Sequence, residues 1–136
     1  KANLLDFVNS KKEKLDLEVG EGGSKLSGGQ KQRLALARTI LANREVIIFD
    51  EATSNIDIES EELIMNVIHE IAKTKTVLLI SHRLANVVNS DIIYFLKDGE
   101  IMESGKHTEL ISRNGQYKKL YDSQMALENY GKEAVL

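Results

Sequence analysis

Two short runs in which every residue is apolar, Val46–Phe49 and Val77–Ile80, bracket a stretch in which apolar residues recur at three- and four-residue intervals. The runs predict strands Val46–Phe49 and Thr76–Ile80, each buried on both faces. Between them, Leu63, Val67 and Ile71, with Ile64 and Ile68 beside them, predict an amphipathic helix over Asp57–Ala72. Strand, helix and strand in that order imply a parallel pair with a right-handed crossover, and so an α/β fold. Upstream, Leu34, Ala37 and Leu41, widened by Leu36 and Ile40, predict a helix over Gly28–Leu41. Gly20, Gly22 and Gly23 oppose regular structure before it. Residues 2–9 read as the end of a helix and Lys11–Lys14 as a charged, polar stretch of loop or frayed helix. Downstream, Ile92–Leu96 and Ile101–Glu103 flank Lys97-Asp98-Gly99-Glu100, where Asp-Gly favours a tight hairpin. Two further helices are expected, Lys106–Ser112 and Gln116–Asn129.

Composition narrows this picture. A chain of 136 residues, 42% hydrophobic and 5% aromatic without Trp, supports one modest core of Leu, Ile, Val and Ala. A net charge of −3 argues against a dedicated nucleic-acid binder. Lys25, Lys31, Arg33, Arg38 and Arg44 nevertheless make one region locally basic, either as a solvated helix face or in the service of phosphate. No cysteine is present, so disulfides and thiolate metal sites are excluded. The longest apolar runs fall far short of a bilayer span. The chain opens at Lys1 with neither an initiator Met nor a signal-peptide pattern, and is expected to be a piece of a longer protein.

The candidate chemistry begins at Leu26-Ser27-Gly28-Gly29-Gln30, followed by Lys31-Gln32-Arg33. Ser27 is placed to cap the helix that follows. Free amides, a hydroxyl and the positive dipole end then converge on one small surface suited to an anion. Asp50 and Glu51 stand where a buried strand ends, the usual position for ligands in a parallel α/β sheet. They could equally be a turn cap and a solvated carboxylate. Ser81-His82-Arg83 directly follows the second strand, so His82 could meet a ligand or only nearby backbone. Asp57 can cap the helix that it opens. His69 and His107 lack comparable support and are read as structural or solvated.

Taken together, Leu26–Gln30, Val46–Glu51 and Ser81–Arg83 resemble, in order and spacing, the ATP-binding cassette of ABC transporters. The resemblance implies a partial P-loop NTPase fold. Ser27 and Gly29 would bind the γ-phosphate of a nucleotide held by the other subunit, with Gly28 allowing close backbone approach and Gln30 at the edge of the site. Val46–Glu51 resembles a Walker B element, in which Asp50 would hold Mg²⁺ and Glu51 would orient or deprotonate the attacking water. Ser54-Asn55-Ile56-Asp57 resembles the D-loop, which crosses the subunit interface; Asn55 is a permissive position there. His82 would sense the γ-phosphate. ATP and Mg²⁺ are the implied cofactors. The implied partners are a second nucleotide-binding domain and the transmembrane domains of the same exporter, with no nucleic acid, at the cytoplasmic face of the cell membrane.

A P-loop needs Gly-x-x-x-x-Gly-Lys-Ser/Thr between a strand and a helix, and the sequence contains none. The resemblance therefore maps to the C-terminal part of a nucleotide-binding domain, with residues 1–42 in its helical subdomain and 43–136 in its catalytic core and C-terminal helices. The missing neighbours are expected to leave an open sheet edge or apolar face prone to self-association. Val19–Gly23, Glu51–Ser54, Ser81–Leu84 and Glu103–Leu110 are similar to export-type members, and Gln124–Tyr130 bears a loose likeness to bacterial exporters needed for cytochrome bd assembly. Soluble ABC translation factors differ after Asp-Glu, and DNA-repair relatives carry long heptads not found here. The alternatives are a non-hydrolysing dimerisation or interaction fragment and a soluble ABC ATPase.

Overall fold

The computed structural model describes residues 2–54 and 56–133, without the side chains of 128–133. Asn55 lies outside the described residues, as do the side chains of Glu128, Asn129 and Tyr130 in the tail. The elements run α1 (Leu5–Asn9), α2 (Gly28–Ala42), β1 (Val46–Asp50), α3 (Ile58–Ala72), β2 (Thr76–Ile80), β3 (Ile93–Lys97), β4 (Glu100–Gly105), α4 (His107–Ser112) and α5 (Gln116–Glu133). Short 3₁₀ turns occupy Lys14–Asp16, Glu21–Gly23 and Leu84–Asn86. The chain divides into two compact units, Lys1–Ile80 and Ser81–Leu136.

In the first unit β1 and β2 are paired in parallel, with Val46 opposite Thr76 and Asp50 opposite Ile80. The crossover helix is α3, as the apolar periodicity requires. Its Ile64, Met65, Val67 and Ile68 join Ile47 and Phe49 of β1 and Leu36 of α2 in one core, against which Ile40, Val77 and Leu79 pack. Leu36 and Ile40 therefore line the buried stripe of α2, whereas Leu41, expected there, is 84% exposed. Leu41 is the penultimate residue of α2, beyond the stretch that α3 covers.

The strands depart from expectation in one respect. Among the described residues one face is covered: Ile47 and Phe49 are buried, while Val46, Ile48, Leu78 and Ile80 on the opposite face are exposed. A sheet needs a layer on each side to bury both faces, and both helices that contribute to this core lie on the same side. An all-apolar run records which side chains favour burial, not whether a second layer is present.

In the second unit β3 and β4 form an antiparallel hairpin with an irregularity at Phe95/Leu96. Its turn residues Asp98 and Gly99 both have positive φ, 52° and 82°, as the tightest hairpin turn demands. Leu84, Val87, Ile93, Leu110 and Tyr117 are buried. The start of α5 is held by the hairpin, because the Glu103 carboxylate accepts the amides of Gln116 (2.6 Å) and Tyr117 (3.0 Å). A side chain at Gly115 would collide with that carboxylate, whose Cδ would lie at 2.7 Å from the added carbon. His107 Nδ1 meets the Tyr117 hydroxyl at 2.8 Å, the structural role expected for it. Burial raises the Tyr117 phenol above its ordinary value, and the neighbouring Tyr121 adds to the effect.

Candidate functional site: a capped glycine turn, an acidic strand end and a histidine turn

Ser27 has extended backbone and begins α2 with a reciprocal capping box. Its Oγ accepts the Gln30 amide at 3.2 Å, and Gln30 Oε1 accepts the Ser27 amide at 2.9 Å. The box uses the amide at the third helical position and leaves those of Gly28 and Gly29, the first two, with no acceptor inside the helix. Ser27 Oγ accepts one bond and still has a proton to donate. Ser27 and Gly28 are exposed, and Gln30 is half-buried. Gln30 thus shapes the turn from its edge.

Gly29 has a second constraint that the sequence did not disclose. It is buried, and a Cβ there would overlap Ser60 Oγ and stand 2.8 Å from Ser60 Cβ. The start of α2 thus rests on the first turn of α3. Asp57 caps that turn, accepting the Ser60 amide at 2.8 Å, and its Oδ1 lies 3.8 Å from where the Gly29 Cβ would be. The Ser60 amide, then the Ser60 hydroxyl, hold the Asp57 carboxyl below its ordinary value; Arg33 contributes in the same direction. The glycine turn and the acid that opens α3 are therefore brought together by helix packing.

Asp50 ends β1 and is exposed. At Glu51 the chain turns sharply: φ is 47°, uncommon for a residue with a side chain. The Glu51 amide is anchored on the Ile80 carbonyl at 3.0 Å, and its own carbonyl accepts Ser54 N–H at 2.9 Å. A left-handed carboxylate residue tied to the ends of two parallel strands is local strain of the kind that collects at functional sites. No cluster of three or more His, Cys, Asp or Glu able to hold a metal occurs among the described residues. The donor set suits a hard cation held by one carboxylate and otherwise by phosphate oxygens and water, as Mg²⁺ is.

In the second unit, Ser81 folds its turn locally, with Oγ accepting Arg83 N–H (3.0 Å) and donating to the Arg83 carbonyl (3.1 Å). His82 is exposed at the tip. Gln124 of α5, to which nothing in its sequence context assigns a role, bonds to this turn at two points: Oε1 accepts Leu84 N–H at 2.9 Å and Nε2 donates to the His82 carbonyl at 2.7 Å. His69 is exposed in the last turn of α3, where a cation would complement the helix dipole.

Residues 2–54, which include the glycine turn and Asp50-Glu51, match the family model described as ABC transporter. The chain belongs to the ABC transporter family. Among its relatives is an uncharacterized ABC transporter ATP-binding protein of Haemophilus influenzae, 50% identical over 93% of the chain and 22% of the relative. An ATP-dependent lipid A-core flippase of the same species is 46% identical over 92% of the chain and 21% of the relative. A solved bacterial Atm1-family ABC exporter with ATP bound superposes with a TM-score of 0.83 at 40% identity, over 90% of this chain and 22% of that one. The chain thus spans about a fifth of the length of the curated relatives it matches. Its fold is part of the P-loop NTPase fold of an ABC exporter. Among the described residues no helix is long and apolar enough to cross a membrane.

Proposed function

We propose that this chain is the C-terminal part of the ATP-binding domain of an export-type ABC transporter, working at the cytoplasmic face of the cell membrane. It pairs with a second nucleotide-binding domain and with the transmembrane domains of the same exporter, and uses ATP hydrolysis to drive transport. The observation that carries this reading is the start of α2, where the capping box orders the turn and the first two amides, of Gly28 and Gly29, have no acceptor inside the helix. The 40% identity to an ATP-bound exporter points to phosphate as that anion.

In this reading Ser27, Gly28 and Gly29 present donors to the terminal phosphate of a nucleotide held chiefly by the partner domain, and Gln30 keeps the turn in shape. ATP with Mg²⁺ supplies a phosphoanhydride whose terminal phosphoryl group passes to water. Asp50 holds the metal, and Glu51, projected from a left-handed turn, orients the attacking water and takes its proton. His82 donates a hydrogen bond to the terminal phosphate, which imidazole does in either protonation state. Asp57 fixes the start of α3 beneath the glycine turn, and Ser54, Ile56 and Asp57 serve the contact with the partner domain.

The test is Glu51→Gln in the intact transporter. The amide keeps the shape of the side chain but cannot act as a base, so turnover should fall by roughly 100-fold or more while ATP still binds. His82→Ala should also impair turnover. Near wild-type steady-state hydrolysis in both variants would reject the assignment.

A further inference from the structure

Gln124 lies 42 residues downstream of His82, yet its amide is bonded on both sides of the intervening Arg83. The His82 carbonyl belongs to the peptide plane between residues 82 and 83, and the Leu84 amide to the plane between 83 and 84. Holding both planes sets the backbone at Arg83 and one of the two peptide planes that flank the Cα from which the His82 side chain projects. A primary amide suits this task because it offers an acceptor and a donor side by side; a carboxylate offers only acceptors. The partners are themselves held: Leu84 is buried, and Ser81 Oγ engages both polar groups of the Arg83 main chain.

The helix that carries Gln124 is equally constrained. Glu103 of β4 accepts the first two amides of α5, and the wholly buried Tyr117 bonds to His107 through its hydroxyl. Gln124 follows Tyr117 by two helical turns, on the same face, so the hairpin sets the position of α5 and α5 sets the position of the amide.

We infer that Gln124 is a positioning residue for His82, and that α5 governs turnover by holding the histidine turn in the geometry that meets the terminal phosphate. The inference rests on the reading of His82 given above. Gln124 touches no reacting atom; it acts through the backbone of residues 82–84. Release of α5 would free both peptide planes and let the imidazole turn away while the nucleotide stays bound.

The experiment uses the intact transporter, combining steady-state ATPase kinetics with hydrogen–deuterium exchange in the wild type, Gln124→Ala, Gln124→Glu and His82→Ala. Gln124→Ala should lower kcat about tenfold with KM for ATP unchanged within about twofold, since the interaction lost serves the transition state rather than binding. The Leu84 amide should exchange about tenfold faster, while the Tyr117 amide, held by Glu103, keeps its protection. Gln124→Glu retains the acceptor for Leu84 but not the donor for His82, so it should preserve most of the Leu84 protection and still lose kcat. Unchanged Leu84 exchange in Gln124→Ala would overturn the clamp. Faster Leu84 exchange with wild-type kcat would overturn the positioning role, as would a loss of Tyr117 protection together with a rise in KM, which marks general loosening. Wild-type turnover in His82→Ala would overturn the reading of His82 itself, and the inference with it, whatever Leu84 does.

Discussion

The glycine turn at Ser27–Gln30 and the histidine turn at Ser81–Leu84 solve the same problem by different means. Each must hold a short polar segment still at the end of a regular element. Each begins with a serine whose Oγ bonds to main chain a few residues on. Beyond that they diverge. The glycine turn closes on itself within four residues, and it gains distant support through a missing side chain, the hydrogen of Gly29 that lets Ser60 approach. The histidine turn takes its distant support from a side chain that is present, the Gln124 amide. Local closure makes a turn robust and readable, whereas support from another helix allows its geometry to be altered by moving that helix.

Filling the space at Gly29 should have the largest effect. Gly29→Val drives a branched side chain into Ser60 and should cost about 2–3 kcal/mol of stability by overpacking, measured by chemical denaturation. A neutral result would mean that the two helices do not meet at that point. Ser27→Ala removes the cap and should cost about 1 kcal/mol, without altering exchange at Leu84. A loss of Leu84 protection in that variant would show that the two turns are not independent.

The smallest effect is one of pH. The Asp57 carboxyl is held below its ordinary value by its bonds to Ser60, so its contribution is complete above the unfolded value of about 3.8 and is lost as pH falls through the lower folded value. The start of α3 should therefore loosen only in strong acid, with no change from neutral to mildly acidic pH. Exchange at the Ser60 amide across that range checks this, and Asp57→Asn, which keeps a cap without a titrating group, should remove the dependence.

This contrast also explains what the sequence could reveal. The Ser27 cap, the Asp98-Gly99 turn and the parallel pair around α3 each depend on residues close in the chain or on a simple period, and all were legible, whereas the reciprocal bond from Gln30 was not. The relation of Gln124 to His82 was not, because nothing in a polar helix position announces a partner 42 residues away. The glycines of the Ser27–Gln30 turn invited explanation through phosphate alone, since the Ser60 contact is a matter of helix packing. Leu41 and the outer sides of Val46, Ile48, Leu78 and Ile80 show the same limit: hydrophobicity states a preference for burial, and only the arrangement of layers decides where it is met.

The most direct test of the central claim, that this chain contributes the second half of a nucleotide site and not a whole one, is calorimetry of ATP and Mg²⁺ against the 136-residue chain. The sequence holds the glycine turn, Asp50, Glu51 and His82 but no P-loop, the element whose amides and lysine cradle the phosphates. Only weak, unsaturated heats and no hydrolysis are expected, with activity appearing when a chain bearing an intact P-loop is added. Saturable micromolar binding by this chain alone, with magnesium-dependent turnover abolished by Glu51→Gln, would contradict it.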